Sequence, residues 1–220
     1  MGVVVAMDGP SGSGKSSTAR GVAKELGLRY LDTGAMYRAV TWWMLEHDVD
    51  PTDPDAVAAH ADRPVLVSGT DPERPTITVD GTDVAVPIRG PEVTSAVSAV
   101  SAVPAVRARL RREQSDAIGS GDIVVEGRDI GTVVAPEAEV KIYLTADPDA
   151  RATRRSAEHL GSDVAATRES LLRRDEVDSG RVISPLTMAE DAQHIDTTPY
   201  TLDEVVAQVV ALVEAVREPA

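Results

Sequence analysis

The 220-residue chain carries 22 Lys plus Arg against 36 Asp plus Glu, a net charge of −14, and it has no cysteine and no phenylalanine. That composition removes disulfides, thiolate metal sites and cysteine nucleophiles, leaves the core to Val, Ala, Leu and Ile, and argues against general nucleic-acid binding, because an acidic surface repels polyphosphate backbones. A chain this long can bury roughly 70% of its unfolded surface as one α/β domain without a metal or disulfide staple.

The apolar run before Asp8 is too short for a signal peptide or a bilayer span. A soluble cytoplasmic protein with no membrane partner is therefore expected. Val3 to Met7 reads as a fully buried strand of a parallel sheet, ended by Asp8-Gly9-Pro10. The spacing of Ala19, Val22, Ala23 and Leu26 predicts a helix over Lys15 to Leu26, closed by Gly27. Arg29 to Leu31 predicts a short strand ending at Asp32-Thr33-Gly34, and Ala35 to Leu45 a second helix. The acidic connection Asp48 to Asp62 leaves room for one short helix near Ala56 to Ala61.

Between Pro64 and Ile88 the runs Val65 to Val67, Thr76 to Val79 and Asp83 to Val86 predict a small antiparallel insertion. Pro91 to Val103 and Pro104 to Ile118 read as helices, each with proline at a tolerated first-turn position. Ile123 to Val125 and Val140 to Leu144 are further buried-strand candidates, and charged helices are expected over Asp147 to Leu160 and Asp163 to Glu176. His194 to Asp196 predicts a last strand, and Leu202, Val205, Val206, Val209, Val210 and Val213 form the apolar stripe of a closing helix. Strands alternating with helices predict an α/β fold whose central parallel sheet is flanked by helices. The repeat Ser95-Ala-Val-Ser98-Ala-Val-Ser101-Ala-Val103 puts serines along one helical stripe, either a close-packing face or a ligand-facing one.

Gly9-Pro10-Ser11-Gly12-Ser13-Gly14-Lys15-Ser16, followed by Ser17, fits GxxxxGK[ST] between a predicted strand and a predicted helix, the context that gives the motif its meaning. Its glycines let consecutive backbone amides turn inward around an anion, and the helix amino end adds positive potential. Lys15 is then the residue that reaches the β- and γ-phosphates, and the Ser16 hydroxyl the ligand for Mg2+.

A phosphate cradle predicts nucleotide binding. The chain has no asparagine, so the Asn-Lys-x-Asp guanine motif is absent, and it is short for motor or transporter ATPases. A small kinase is the natural class. Such an enzyme holds a second anion in line with the γ-phosphate, and the planar fork of arginine suits that task. Arginine outnumbers lysine 19 to 3. Arg38 and Arg128 follow candidate strand ends, while Arg151, Arg154, Arg155, Arg173, Arg174 and Arg181 crowd the charged helices. Interleaved acids such as Asp175, Glu176 and Asp178 support a second reading of that last group, as a solvated helix face. Three classes stay open on these residues: a nucleotide kinase, a kinase of another acceptor such as shikimate, gluconate or dephospho-coenzyme A, and a nucleotide sensor without turnover.

The sequence resembles the bacterial cytidylate kinases. The resemblance rests on Asp8-Gly-Pro-Ser-Gly-Ser-Gly-Lys-Ser16, Leu31-Asp-Thr-Gly-Ala-Met-Tyr-Arg38, Pro104-Ala-Val-Arg107, Glu126-Gly-Arg-Asp-Ile-Gly-Thr-Val-Val134 and Arg174-Asp-Glu-Val-Asp-Ser-Gly-Arg181, in the family's order. It covers essentially the whole chain, with Glu126 standing where many relatives have Asp. It implies a P-loop kinase with a core over about 1–62 and 120–220, a monophosphate-binding insertion over about 63–119, and a helical lid over about 147–181. The implied reaction moves the γ-phosphoryl group of ATP to CMP or dCMP, with magnesium, in a monomer.

The resemblance also implies roles. Gly9 to Ser17 would hold the ATP phosphates, and Arg151, Arg154 and Arg155 resemble lid arginines that close over ATP and exclude water. Lys15, Arg128, Arg151 and Arg174 would act on the transferring group. Thr33, Arg38, Arg128 and Arg181 would hold the acceptor phosphate, with Asp32 beside them. Ser98, Arg107 and Asp129 would read cytosine, and Arg174 with Asp178 would address the ribose. Ser98 follows from its spacing to Pro104 and Arg107, with Ser95 and Ser101 as alternatives. A carboxylate can accept the cytosine amino proton, whereas uracil presents a carbonyl there.

Overall fold

The computed structural model describes residues 2–158, 163–181 and 183–217. In chain order it runs β1 (Val4–Asp8), α1 (Lys15–Leu26), β2 (Arg29–Asp32), α2 (Thr33–Glu46) and α3 (Pro54–His60). Three short strands follow, β3 (Leu66–Ser68), β4 (Ile77–Val79) and β5 (Thr82–Asp83), then a 3-10 turn over Pro87–Arg89. Next come α4 (Pro91–Ala102), α5 (Pro104–Ile118), β6 (Ile123–Glu126), a π-helical turn over Ile130–Val134, and β7 (Val140–Thr145). The chain closes with α6 (Pro148–Glu158), α7 (Val164–Ser179), β8 (Gln193–Asp196) and α8 (Leu202–Arg217).

Five strands form one sheet in the order β2-β6-β1-β7-β8, every neighbouring pair parallel. Because strand side chains alternate between faces, Val5 and Met7 pack on one side with Ala19, Val22 and Ala23 of α1 and the valines of α8. Ala6, Ile123 and Val125 face the other side, against Ala39, Val40 and Met44 of α2 and Val106 and Leu110 of α5. The sheet is thus covered on both faces, as a parallel sheet must be. Each fully buried Leu or Ile there contributes roughly 1.5–3 kcal/mol, and valine and alanine supply most of the interior in place of phenylalanine.

Strands β3, β4 and β5 form a separate antiparallel sheet. Asp80 (φ 51°) and Gly81 (φ 80°) join β4 to β5, the left-handed pair that a two-residue hairpin turn of the tightest kind requires. The Asp80 carboxylate accepts from Val65 N–H and from the Trp43 indole N–H, each at 2.8 Å, which ties this sheet to α2. The Trp43 indole also stacks on the His47 ring at 3.9 Å.

Several boundaries differ from the sequence expectations. The short helix α3 begins at Pro54 and not Ala56, because Asp53 caps it by accepting from Asp55 and Ala56 amides and proline fits the first turn. The expected strand over Asp83 to Val86 ends at Asp83, whose carboxylate accepts from Ala85 N–H and bends the chain toward Pro87. α2 starts two residues early because Asp32 accepts from Ala35 N–H at 2.9 Å. Leu202, expected on the apolar stripe of α8, stands 48% exposed at its first turn. The last two positions of the charged helix expected over Asp147 to Leu160 lie outside the described residues.

Candidate active site

The C-terminal ends of β1, β2 and β6 open onto a solvent-facing cleft of about 180 Å³. Its floor is the loop between β1 and α1. Gly9 stands at φ 142°, and a Cβ there would fall 2.0 Å from the Leu144 carbonyl, so only glycine lets the loop leave β1 beside β7. Gly12 (φ 79°) and Gly14 (φ 90°) continue the turn, and Gly14 opens α1. Ser11, Gly12, Gly14, Lys15, Ser16 and Ser17 line the cleft. Ser13 is buried, its carbonyl accepting from the Thr197 hydroxyl, while Pro10 offers its carbonyl to the Lys15 ammonium at 2.8 Å.

Burial pulls the Lys15 ammonium down to about 7, helped by Arg128 and opposed by Glu126, Asp8 and Asp175. An anion in the loop would reverse that shift. Glu126, at the end of β6, accepts from the Tyr30 hydroxyl at 2.7 Å and from Ser16. Burial, then the nearby Asp32 charge, pushes the Glu126 carboxyl up. Ser16, Asp32 and Glu126 therefore gather hard oxygen donors at the mouth of the loop, the donor chemistry a magnesium ion selects. Among the described residues no cluster of three or more His, Asp or Glu could cage a metal by itself.

The opposite wall carries the arginines. Arg38 donates to the Ile88 carbonyl and the Thr94 hydroxyl, and burial together with Arg174, Arg155 and Arg89 lowers it to about 9. Arg174 falls to about 10, through burial and then Arg128. Cations crowd here until each weakens the next, the kind of perturbed cluster that gathers at functional sites. Asp178, only 4% exposed, holds Arg128 at 3.0 Å and Arg181 at 2.5 Å. Arg128 also donates to the Gly9 carbonyl at 2.9 Å. The Thr33 hydroxyl donates to the Glu126 carbonyl at 2.7 Å.

At the far end Arg107 pairs with Asp129 at 2.6 Å, donates to the Ser101 carbonyl and lies over the Tyr37 ring at 5.4 Å. Ser98 and Ser101 both line the cleft, Ser95 does not, and Arg181 reaches the Ser101 hydroxyl at 2.9 Å. Of the α6 arginines, Arg155 lines the cleft. Arg151 reaches the Ser11 carbonyl and Asp175, and Arg154 reaches both oxygens of Thr197. Sequence reasoning overlooked Asp8, Tyr30, Asp175 and Thr197. Asp175 carried a signal, since Arg174, Asp175, Asp178 and Arg181 recur at helical spacing on one face.

The cytidylate kinase family profile matches residues 5–215. The chain is 61% identical over 217 residues to the cytidylate kinase of Streptomyces avermitilis, covering 98% of this chain and 94% of that protein. It is 53% identical over 209 residues to the cytidylate kinase of Nocardia farcinica, covering 93% and 90%. Among solved structures it resembles an uncharacterized protein from Eubacterium ventriosum, with a TM-score of 0.52 at 11% identity over 97% of this chain and 99% of that one. That last likeness is one of fold alone.

Proposed function

The chain belongs to the cytidylate kinase family, and on that premise we propose how its cleft carries out the family reaction. The protein transfers the γ-phosphoryl group of ATP to CMP or dCMP, giving ADP and CDP or dCDP. The observation that carries this reading is the juxtaposition, in one cleft, of a phosphate loop, a bank of mutually depressed arginines and a buried Arg107–Asp129 pair.

Gly9 to Ser17 hold the ATP phosphates, with Lys15 placed to follow charge onto the transferring oxygens. Magnesium on ATP would screen the phosphate charge, with Ser16 as its protein ligand and Asp32 and Glu126 behind. Thr33, Arg38, Arg128 and Arg181 hold the acceptor phosphate in line. Asp129 accepts the cytosine amino proton, Ser98 and Arg107 complete the base pocket, and Arg174 with Asp178 addresses the ribose. Asp175 and Asp178 occupy guanidiniums in the structure described; when phosphates arrive, those guanidiniums exchange one anion for another. Residues of about 147–181 act as the lid, about 63–119 as the monophosphate-binding insertion, and the rest as the core. Arg151, Arg154 and Arg155 ride on that lid. Positioning and electrostatics supply the rate, with no general base.

We propose a monomer that takes small-molecule substrates, and the net charge of −14 disfavours nucleic acid as a partner. No helix among the described residues is long and apolar enough to cross a membrane; we place the enzyme in the cytoplasm. The test is ADP release from magnesium-ATP with CMP, dCMP, UMP, AMP and GMP offered separately, beside an acceptor-free control. Turnover concentrated on CMP and dCMP is expected; equal turnover with all five would remove the base reading.

A further inference from the structure

We propose that Asp8 positions the base-reading carboxylate by capping, in its place, the turn that follows Asp129; the inference rests on the cytidylate kinase reading above. The first amides of a helical turn need an acceptor, which the side chain of the residue just before the turn ordinarily supplies. For the turn over Ile130–Val134 that residue is Asp129, and its side chain caps nothing. The carboxylate goes to Arg107 instead, at 2.6 Å.

The orphaned amides go to a residue more than a hundred positions away in sequence. Ile130 N–H donates to Asp8 Oδ1 and Gly131 N–H to Asp8 Oδ2, each at 2.8 Å. Two donors meet two carboxylate oxygens, a match that an amide side chain would spoil by setting its NH2 against one N–H. Asp8 is 5% exposed and ends β1, which is paired on both edges, so its carboxylate is a fixed post. The approach of Asp8 is not tight: a Cβ on Gly131 would lie 3.3 Å from the flexible Lys141 stem and 3.5 Å from Asp8 Oδ2. Met7, next to Asp8, anchors the same segment through its carbonyl, which accepts from Gly127 N–H at 3.0 Å.

Without Asp8, the residue in the capping position is Asp129 itself, and capping then competes with Arg107 and with the base for the same oxygens. Asp8 does not line the cleft; it acts on the base pocket through Asp129, while its charge also supports the Lys15 ammonium.

The experiment is a double-mutant cycle in steady-state kinetics on the full chain, with Asp8→Asn, Asp129→Asn and the double variant, each titrated with CMP and with ATP. Asp8→Asn should raise KM for CMP about 10-fold or more, raise KM for ATP clearly less, and add less than about threefold to KM for CMP in the Asp129→Asn background. Equal rises in both KM values, or effects that multiply in the double variant, would overturn the inference. If Asp8→Asn does not fold, Asp8→Glu keeps both acceptor oxygens but moves them by one methylene and should raise KM for CMP selectively; no selectivity there overturns it equally. A wild-type enzyme that ignores CMP would overturn the functional reading and this inference together, whereas intact turnover with unselective KM changes overturns this inference alone.

Discussion

The central sheet and the α6–α7 pair are built by opposite means. Val5, Met7, Val124, Ile142 and Leu144 are within 1% of full burial, and the sheet they form is held by displaced water. α7 buries only Leu171 and Asp178. It is held to the rest by ion pairs: Arg151–Asp175, Arg128–Asp178, and Arg168–Asp149 back to α6. Apolar contacts have no substitute partner in a polar ligand, whereas a guanidinium released by a carboxylate accepts a phosphate on similar terms. The difference teaches where movement is cheap: the region assembled from charge is the one we propose trades carboxylate for phosphate.

The largest expected effect lies on the rigid side. Lys15→Ala should lower turnover by about 10³-fold with an unchanged melting temperature, because the loop is shaped by its glycines; turnover near the wild-type level would remove Lys15 from the chemistry. Next in size is a contrast in stability. Leu144→Ala should cost about 2–5 kcal/mol in denaturant titration, and Arg168→Ala, at the exposed Arg168–Asp149 pair, within about 0.5 kcal/mol. A loss at Arg168 as large as that at Leu144 would mean that an exposed ion pair holds α7 as firmly as apolar burial holds the sheet. Hydrogen exchange sharpens the comparison: amides of α6 and α7 should exchange about 10²-fold faster than those of β1 and β7, and ATP with CMP should slow the former alone. The smallest effect is a fraction of a proton. With Lys15 lowered to about 7, the free enzyme at pH 8 carries it largely neutral, and ATP phosphates restore its charge. Calorimetry in buffers of different ionisation enthalpy should record proton uptake on ATP binding at pH 8, and Lys15→Met should lose it.

Much of the scaffold was legible because it obeys local rules. Runs such as Val3-Val4-Val5 and Ile123-Val124-Val125 announce buried strands, and Gly27 closes α1 with the left-handed φ of 65° its position suggested. The phosphate loop was legible for the same reason, being a single contiguous stretch. The remainder depended on partners far away in sequence. Nothing local in Asp8 says that its oxygens meet Ile130 and Gly131, or in Thr197 that it bonds Ser13 across 184 residues. The interleaved charges of α7 divide between two faces. Asp175 and Asp178 turn inward to arginines, while Arg173 and Glu169 pair in solvent at 70% and 72% exposure. The Ser-Ala-Val repeat divides likewise, Ser98 and Ser101 toward the cleft and Ser95 away from it.

The chain contains two tryptophans, and the setting of Trp43 gives one of them an optical use. Its indole is bonded to Asp80 at the tip of the small antiparallel sheet and stacked on His47 of its own helix end. Any tilt of that sheet about α2 stretches the indole hydrogen bond and alters the ring's exposure, so the emission wavelength of Trp43 follows the tilt. With Trp42→Tyr removing the neighbouring fluorophore, the protein carries its own gauge of domain motion, readable in stopped flow as CMP enters and without an attached dye.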